Sequence, residues 1–478
     1  MAAPRQRLAQ AGLVAVALLA GCGSSPAPPH GGALRLALPL VPQQLDPARA
    51  PDLPSLNVSH ELYAGLTRFS GSGVVPDLAS SWDVERDGLV WTFHLRKGLR
   101  WSDDRPITAQ DVRRSWLRAL APGTKAPFAG PVLGIVKGAR GYHATGRGDI
   151  GVQALDDRTL RVTLQHPIPW LDQLVAHPIA FPVSTRNAYS GPFRLASRSA
   201  SRLVLERNLN YWNVHKVKPA KLVLTAEAKG ADAILPRGTA APGLPWIETA
   251  RPPSGPGWTA LPTLSVHLLW LITHRPALAD PVVRADVASI VGDSGLDVLV
   301  PDAMPGRSTI TAGLVPTVPA RSTGQNLTLG YTTQDPEGEA TALQLSRDLA
   351  RRGFSVTPRA FASLPALVAA PGLDLVLLGW SAKVFDEYNI FDLFPCGSAF
   401  NVAHWCDPSY DALMRRTVRT LDPSARHRLE QQLLDKLRRS VPAVPVAGQT
   451  ESVHLSPGVR GFSWSPIGFY ELDGMTRS

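Results

Sequence analysis

The sequence predicts an α/β protein built as two lobes, and three features carry that expectation. The chain has 478 residues, beyond the size at which one hydrophobic core stops growing, so two cores are expected. From 326 to 380 the apolar pattern reads strand, helix, strand and then a later strand, the order of a crossover unit in an α/β lobe. Hydrophobic residues make up 44% and charged residues 18%, which fits globular folding rather than disorder.

The amino terminus fixes a compartment. Arg5 and Arg7 precede an uncharged apolar run over 11–21, long enough for a signal-peptide core and too short to cross about 30 Å of hydrocarbon. The run ends in Leu19-Ala20-Gly21-Cys22, which is similar to a bacterial lipobox. Residues 1–21 are therefore read as a lipoprotein signal peptide, with the Cys22 thiol as the acceptor of diacylglycerol. The alternative is an ordinary secretory signal followed by a chance cysteine. Residues 22–33, rich in Gly, Ser and Pro, read as a flexible tether. No second segment is long and apolar enough to span, so the expected location is the extracytoplasmic face of the cell membrane, held by lipid.

In the folded part, residues 34–38 alternate apolar and basic side chains as a strand does, and Pro39 ends it. Val90–Leu95, reading VWTFHL, is a second strand. Thr108 and Asp111 form a variant capping box, opening a helix that buries Val112, Trp116 and Leu120 at a spacing of four. Residues 327–331 and 354–356 are strands flanking a helix marked by Leu343, Leu345 and Leu349, with Gly353 as its left-handed stop. Residues 374–380, reading DLVLLGW, form a buried strand whose end should face a cleft. Asp407-Pro408 and Asp422-Pro423 each start a helix. The second carries Leu429, Leu433, Leu437 and Val441 on one face, and the stretch 442–445 stops it.

Charge and cysteine usage narrow the function. The 49 basic and 39 acidic residues give +10, or +8 once Arg5 and Arg7 are lost. The charge is spread out, with no Lys/Arg block or RNA-binding aromatic motif, so it reads as a solvated surface and not a nucleic-acid site. Nine lysines against 40 arginines suit a GC-rich genome and, with the lipid anchor, a Gram-positive source. In an exported chain Cys396 and Cys406 read as a disulfide. A metal site with His404 is the alternative, and no fourth ligand at zinc-like spacing accompanies it.

Motifs across nearly the whole mature chain then show a pattern. Leu45-Asp46-Pro47, Glu61-Leu62-Tyr63-Ala64-Gly65-Leu66, Trp82, and the run from Trp91 through Arg96-Lys97 follow in order. Trp101-Ser102-Asp103, Pro106 through Val112, Gly191-Pro192-Phe193, Arg207-Asn208, Tyr211-Trp212 and Tyr410-Asp411-Ala412-Leu413 continue it. The chain resembles family 5 of the extracellular solute-binding proteins, the peptide and dipeptide receptors of ABC importers. That resemblance implies a two-lobed fold like the periplasmic binding proteins (type II, cluster C) with a hinged cleft crossed twice by the chain. It places the first lobe at 34–258 and 447–478, with an extra subdomain about 55–190, and the second at 259–446. The stretch 221–270 matches poorly. The function implied is capture of a peptide or peptide-like solute for delivery to the permease subunits, by a monomer without cofactor.

The resemblance also nominates contacts. Pro51, Asp52 and Leu53 match a segment that pairs with the peptide backbone, although Pro51 lacks an N–H. Phe128 stands where the family has a tyrosine, keeping the apolar wall without the hydroxyl. Trp380 matches a cleft tryptophan, with a core position as the alternative. Peptide receptors of the family carry Trp-x-Ala-Asp, whose aspartate meets the ligand amine; here the run is Trp380-Ser381-Ala382-Lys383. Unit charges ~4 Å apart interact by about 4 kcal/mol at an effective dielectric near 20, so this reversal disfavours a free amine there. Either the ligand offers an anionic or neutral group to Lys383, or Lys383 pairs with Asp386 or Glu387.

Other functions compete. Gly292-Asp293-Ser294-Gly295 is superficially similar to a hydrolase serine motif but lacks the nucleophile elbow and a placeable triad. A turn after the helix containing Val287 and Ile290 is the plainer reading, and no enzyme activity is expected. A sensor of the same fold, uncoupled from transport, is the other alternative. Nickel or haem capture has no close His pair at ligand spacing to support it.

Overall fold

The computed structural model describes residues 32–85, 88–236, 245–246, 254–292, 303–304, 324–333, 338–398 and 400–478. Strand β1 (Ala33–Ala37) buries Leu34 and Leu36 and exposes the residues between them, as its alternation requires. Asp52 caps helix α1 (Leu53–Leu62). A small antiparallel sheet follows, built from β2 (Ala79–Glu85), β3 (Val90–Leu95), β4 (Val152–Ala154) and β5 (Thr159–Thr163) in the order β2-β3-β5-β4. Helix α2 (Ala109–Leu120) packs on it. The Asp111 carboxylate accepts from the Thr108 backbone N–H at 2.9 Å and from its hydroxyl at 3.1 Å. Val112, Trp116 and Leu120 are all fully buried, and the Trp116 indole N–H donates to the Ala180 carbonyl at 2.7 Å.

Two long strands lie side by side in the main sheet. β6 (Trp258–Leu271) and β7 (Ala443–Leu455) run antiparallel in an 11-stranded sheet. Their register breaks between Pro262 and Val266, a local irregularity that bends a strand. The lobe boundaries expected from the sequence, 258/259 and 446/447, fall on these two strands. On one side β7 pairs with Ala233–Ile234, which pairs with β1; on the other, β6 pairs with β8 (Leu375–Ser381). The stretch 442–445 follows the end of a helix at Ser440, as expected, and β7 begins within it at Ala443. Pro445 lies beside the register shift at His267/Leu268, where a residue without N–H is tolerated.

In the second lobe Asn326–Thr332 and Ser355–Phe361 pair in parallel, joined by helix α3 (Gly338–Ala350). Its buried face is Ala342, Leu345 and Leu349. Leu343, also within this helix as expected, is exposed, because it is one residue past Ala342 and each residue turns the helix by about 100°. Gly353 adopts φ +92°, the left-handed stop. β8 is buried at every position because its two faces enter two apolar clusters, Leu375 and Leu377 one, Val376, Leu378 and Trp380 the other, which explains a continuous apolar run in place of an alternating one. Helices α4 (Pro408–Arg419) and α5 (Pro423–Ser440) start on Asp407 and Asp422, whose carboxylates accept from the Ser409 and Ala425 N–H groups. Leu429, Leu433 and Leu437 are buried, while Val441 is the left-handed cap beyond the last turn.

The apolar interior divides by the faces of the main sheet. One cluster runs through the first lobe and continues into the second through Trp270, Leu378, Phe391, Tyr410 and Leu433; a second lies on the other face of the sheet around Leu269, Val287, Leu327, Leu345 and Leu377. Among the described residues no helix is long and apolar enough to cross a membrane.

Candidate ligand cleft

β8 ends at Ser381, and the loop after it is the part of the second lobe that meets the first. Buried Asn389 organises that loop: its side chain accepts from the Lys383 N–H at 3.0 Å and donates to the carbonyls of Val384 at 2.7 Å and Asp386 at 2.6 Å. The loop then makes two hydrogen bonds across the junction. His177 Nε2 lies 2.6 Å from the Lys383 carbonyl, and the Phe385 N–H donates to Gln173 Oε1 at 2.6 Å. Trp170 stacks on Tyr388 with centroids 4.5 Å apart.

Rings from both lobes surround His177. Phe69 lies 5.0 Å away edge-on, Phe469 5.7 Å away, and Phe385 packs against Phe69 at 5.9 Å. His60 sits in the same group, 5.6 Å from Phe469. Burial pushes the His177 imidazole down to about 4 and His60 to about 3, so both rings are neutral at pH 7. A neutral His177 donates through Nε2–H to a carbonyl that can accept nothing else from this ring.

The nominated residues separate into groups. Asp52 is a helix cap: its carboxylate accepts from the Ser55 N–H at 2.8 Å and its carbonyl from the Leu56 N–H at 3.1 Å. Leu53 is buried, and Pro51 is exposed. Asp at the cap with Pro54 in the first turn is itself a helix-start signal, so 51–53 begin a helix and do not continue a strand. Phe128 is buried in the first lobe, just ahead of the short helix Ala129–Leu133. Trp380 is 3% exposed, 5.0 Å from the Phe400 ring, and its indole N–H has no hydrogen-bond partner among the described residues. β6 lines one edge of β8 throughout; among the described residues the other edge meets Asn326–Thr332 at Leu375 and Val376, and Pro245–Trp246 at Gly379 and Trp380.

Lys383 is paired, with a partner other than the two weighed. Its Nζ lies 3.6 Å from Asp392 Oδ2 and 5.9 Å from the Tyr388 ring centre. Asp386 is instead bound by Arg426 at 3.0 Å, because α5 brings that guanidinium beside the loop. Cys396 and Cys406 are joined in a disulfide, which removes both thiols from the metal alternative. His404 faces His274, ring centroids 5.2 Å apart, a spatial His pair that sequence spacing does not show. Of the serine motif, residues 293–295 lie outside the described residues. His177, Gln173, Asn389 and Asp392 were not anticipated. Their contacts span up to 212 positions, and no local pattern marks them.

The sequence profile described as bacterial extracellular solute-binding proteins, family 5 Middle, matches residues 73–289. The probable deoxycholate-binding periplasmic protein YgiS of Escherichia coli (strain K12) is 26% identical, over 92% of this chain and 94% of its own. Over its middle part, residues 73–289, the chain is similar to family 5 of the solute-binding proteins. Another relative, the periplasmic oligopeptide-binding protein OppA of the same organism, is 38% identical over 36% of this chain and 35% of its own length. Among solved structures, clavulanic acid biosynthesis oligopeptide binding protein 2 superposes with a TM-score of 0.78 at 21% identity, covering 94% of this chain and 96% of that one. The unliganded open form of the murein tripeptide binding protein MppA gives 0.75, also at 21% identity, over 94% and 97%. These likenesses show the two-lobed α/β fold.

The family 5 signature residues turn out to be scaffold. Asp46 of the Leu-Asp-Pro motif binds Arg118 through both carboxylate oxygens at 2.6 and 2.7 Å. The Trp212 indole N–H donates to Asp77 at 2.6 Å with Arg96 over its ring at 3.7 Å. Asn208 donates to the Gly191 carbonyl at 2.9 Å, and the Tyr410 hydroxyl to the Phe391 carbonyl at 2.8 Å.

Proposed function

We propose that this chain is the extracytoplasmic solute-binding lipoprotein of an ABC importer, anchored through Cys22, which closes its lobes over a peptide or peptide-like solute and presents it to permease subunits. The observation that carries the reading is the buried Trp380 indole N–H without a partner, at the end of the strand whose following loop is gripped by the first lobe. An unmatched buried donor costs about 1–3 kcal/mol, and a ligand carbonyl or carboxylate would satisfy it. The incompletely paired edge of β8 suits the main chain of an extended peptide, with Pro51 and Asp52 on the facing lobe. β6 and β7 act as the hinge.

A second reading of the ligand rests on Lys383. Its ammonium sits where peptide receptors of the family carry an aspartate, and Asp392 only partly offsets it at 3.6 Å. One relative that aligns along nearly the whole chain is named for deoxycholate, an amphipathic carboxylate. An anionic amphiphile, or a peptide with a blocked amine, fits this end of the cleft better than a free amine does.

Native mass spectrometry of protein purified without denaturation tests both readings. A bound mass of a few hundred daltons is expected, released on unfolding and reduced in Trp380→Ala. A bare chain that also gains no thermal stability from peptide mixtures or bile acids would remove the binding function.

A further inference from the structure

Separate segments of the first lobe enclose a cavity that shares no residue with the loop after β8 or with its contacts across the junction. Its volume is about 510 Å³, within the range of small-molecule sites. Tyr63 caps the C-terminal end of α1, Arg114 and Arg118 lie one turn apart on α2, and Arg198 ends the strand Phe193–Arg198, which Tyr189 precedes. Three guanidinium groups and one carboxylate line the space. The carboxylate, Asp46, is spent on Arg118, which it meets with both oxygens at 2.6 and 2.7 Å. Arg114 is held by Asp111 from outside the cavity. Among the described residues Arg198 meets no carboxylate, only the Gln43 carbonyl. Tyr63 is 7% exposed, yet its hydroxyl has no hydrogen-bond partner among the described residues. The same holds for the hydroxyl of Tyr189, whose ring lies 5.6 Å from that of Tyr63. Burial first, then Tyr189 and Asp46, raise the Tyr63 hydroxyl above its ordinary value, so it stays protonated and can donate.

We propose that this cavity is a second ligand site, which takes the phosphate group of a small organic molecule through Tyr63, Tyr189, Arg118 and Arg198 and does not depend on lobe closure. The free groups are donors: two hydroxyls, the Arg198 guanidinium and the N–H groups of Arg118 that Asp46 leaves over. The one acceptor of full charge is already used, so the site selects for an anion. The forked edge of Arg118, which would take a planar carboxylate, is filled by Asp46. What remains are single donors converging from different elements, and these suit a tetrahedral phosphate with its several acceptor oxygens. The faces of the two tyrosines, with Leu45 and Leu195, leave an apolar wall for the organic part.

The full chain in detergent is titrated by calorimetry at pH 7.5 with phenyl phosphate, with glycerophosphoglycerol, the deacylated headgroup of an anionic lipid, and with benzoate. Expected is saturable binding of one phosphate compound per chain, about tenfold or more tighter than benzoate. Preference for phenyl phosphate upholds the site as one for a soluble phosphomonoester, and preference for glycerophosphoglycerol upholds it as one for a lipid headgroup. Tyr63→Phe and Arg198→Gln should each weaken binding about tenfold or more. Tyr63→Phe keeps the ring and removes a hydroxyl that holds nothing in the fold, and Arg198 is exposed, so both variants should melt like the parent. Trp380→Ala, which alters the cleft, should leave the phosphate affinity unchanged. Absence of saturable binding by the parent chain overturns the proposal. So does equal affinity in Tyr63→Phe or in Arg198→Gln, tighter binding of benzoate, or loss of phosphate binding in Trp380→Ala, which would place the probe in the cleft.

Discussion

The lobe junction and the carboxylates of Asp386, Glu387 and Glu430 both bury titratable groups, and they do so in opposite ways. At the junction His60 and His177 give up charge: burial holds them at about 3 and about 4, and His177 meets the other lobe through a neutral hydrogen bond. In the cluster Asp386 keeps an ion pair with Arg426, while Glu430 is raised to about 8 because two carboxylates and burial outweigh one guanidinium at 3.6 Å. A contact that must open suits neutral partners, since exposing them to water costs little. Within one lobe, charged groups can stay fixed and paired.

The largest expected effect comes from this difference. His177 has a folded value below the unfolded one, so its contribution is complete above about pH 6.5 and lost as pH falls toward 4. Glu430 has a raised value, so its contribution is complete below about 4.5 and lost as pH rises through 8. Thermal melts across pH should fall away on both sides, with His177→Gln flattening the acid limb by on the order of 3 kcal/mol and Glu430→Gln the alkaline limb. An acid limb unchanged in His177→Gln would break the comparison.

Reduction of the Cys396–Cys406 bond acts on the second lobe, in the loop whose Phe400 packs against Trp380. Denaturant titration of the reduced protein should show a loss of about 2–3 kcal/mol, with the pH profile unshifted. Asp52→Ala removes the α1 cap on the first lobe and should cost about 1 kcal/mol by the same assay. The smallest effect on stability belongs to Lys383→Ala, below about 1 kcal/mol, because the backbone of that residue makes the junction contacts. Its effect on calorimetric affinity for the captured solute should be far larger, and unchanged affinity would remove Lys383 from the site.

Much of the fold could be read locally. The caps at Thr108, Asp407 and Asp422, the stop at Gly353 and the apolar run of β8 depend on neighbours in sequence, and the structure places each as expected. Leu343 marks the helix as expected yet lies off its buried face, since alternate leucines on a helix cannot all face one way. Residues 442–445 follow the helix end as expected, and β7 starts within them because proline stops a helix without forbidding an irregular position in a strand. The candidate site was less legible. Trp380 stood out as an aromatic residue at a strand end, but Lys383 takes Asp392, nine positions on, and the facing His177 and Gln173 come from the other lobe. Contacts set by folding two distant segments together leave no periodicity to read.

The central claim is closure of two hinged lobes over a solute. Small-angle X-ray scattering of the protein stripped of its solute, then titrated with the solute extracted from it, tests this most directly. The account predicts a radius of gyration that falls on binding, and a smaller change in His177→Ala, whose junction bond is lost. A radius unchanged while the solute is demonstrably bound would contradict it.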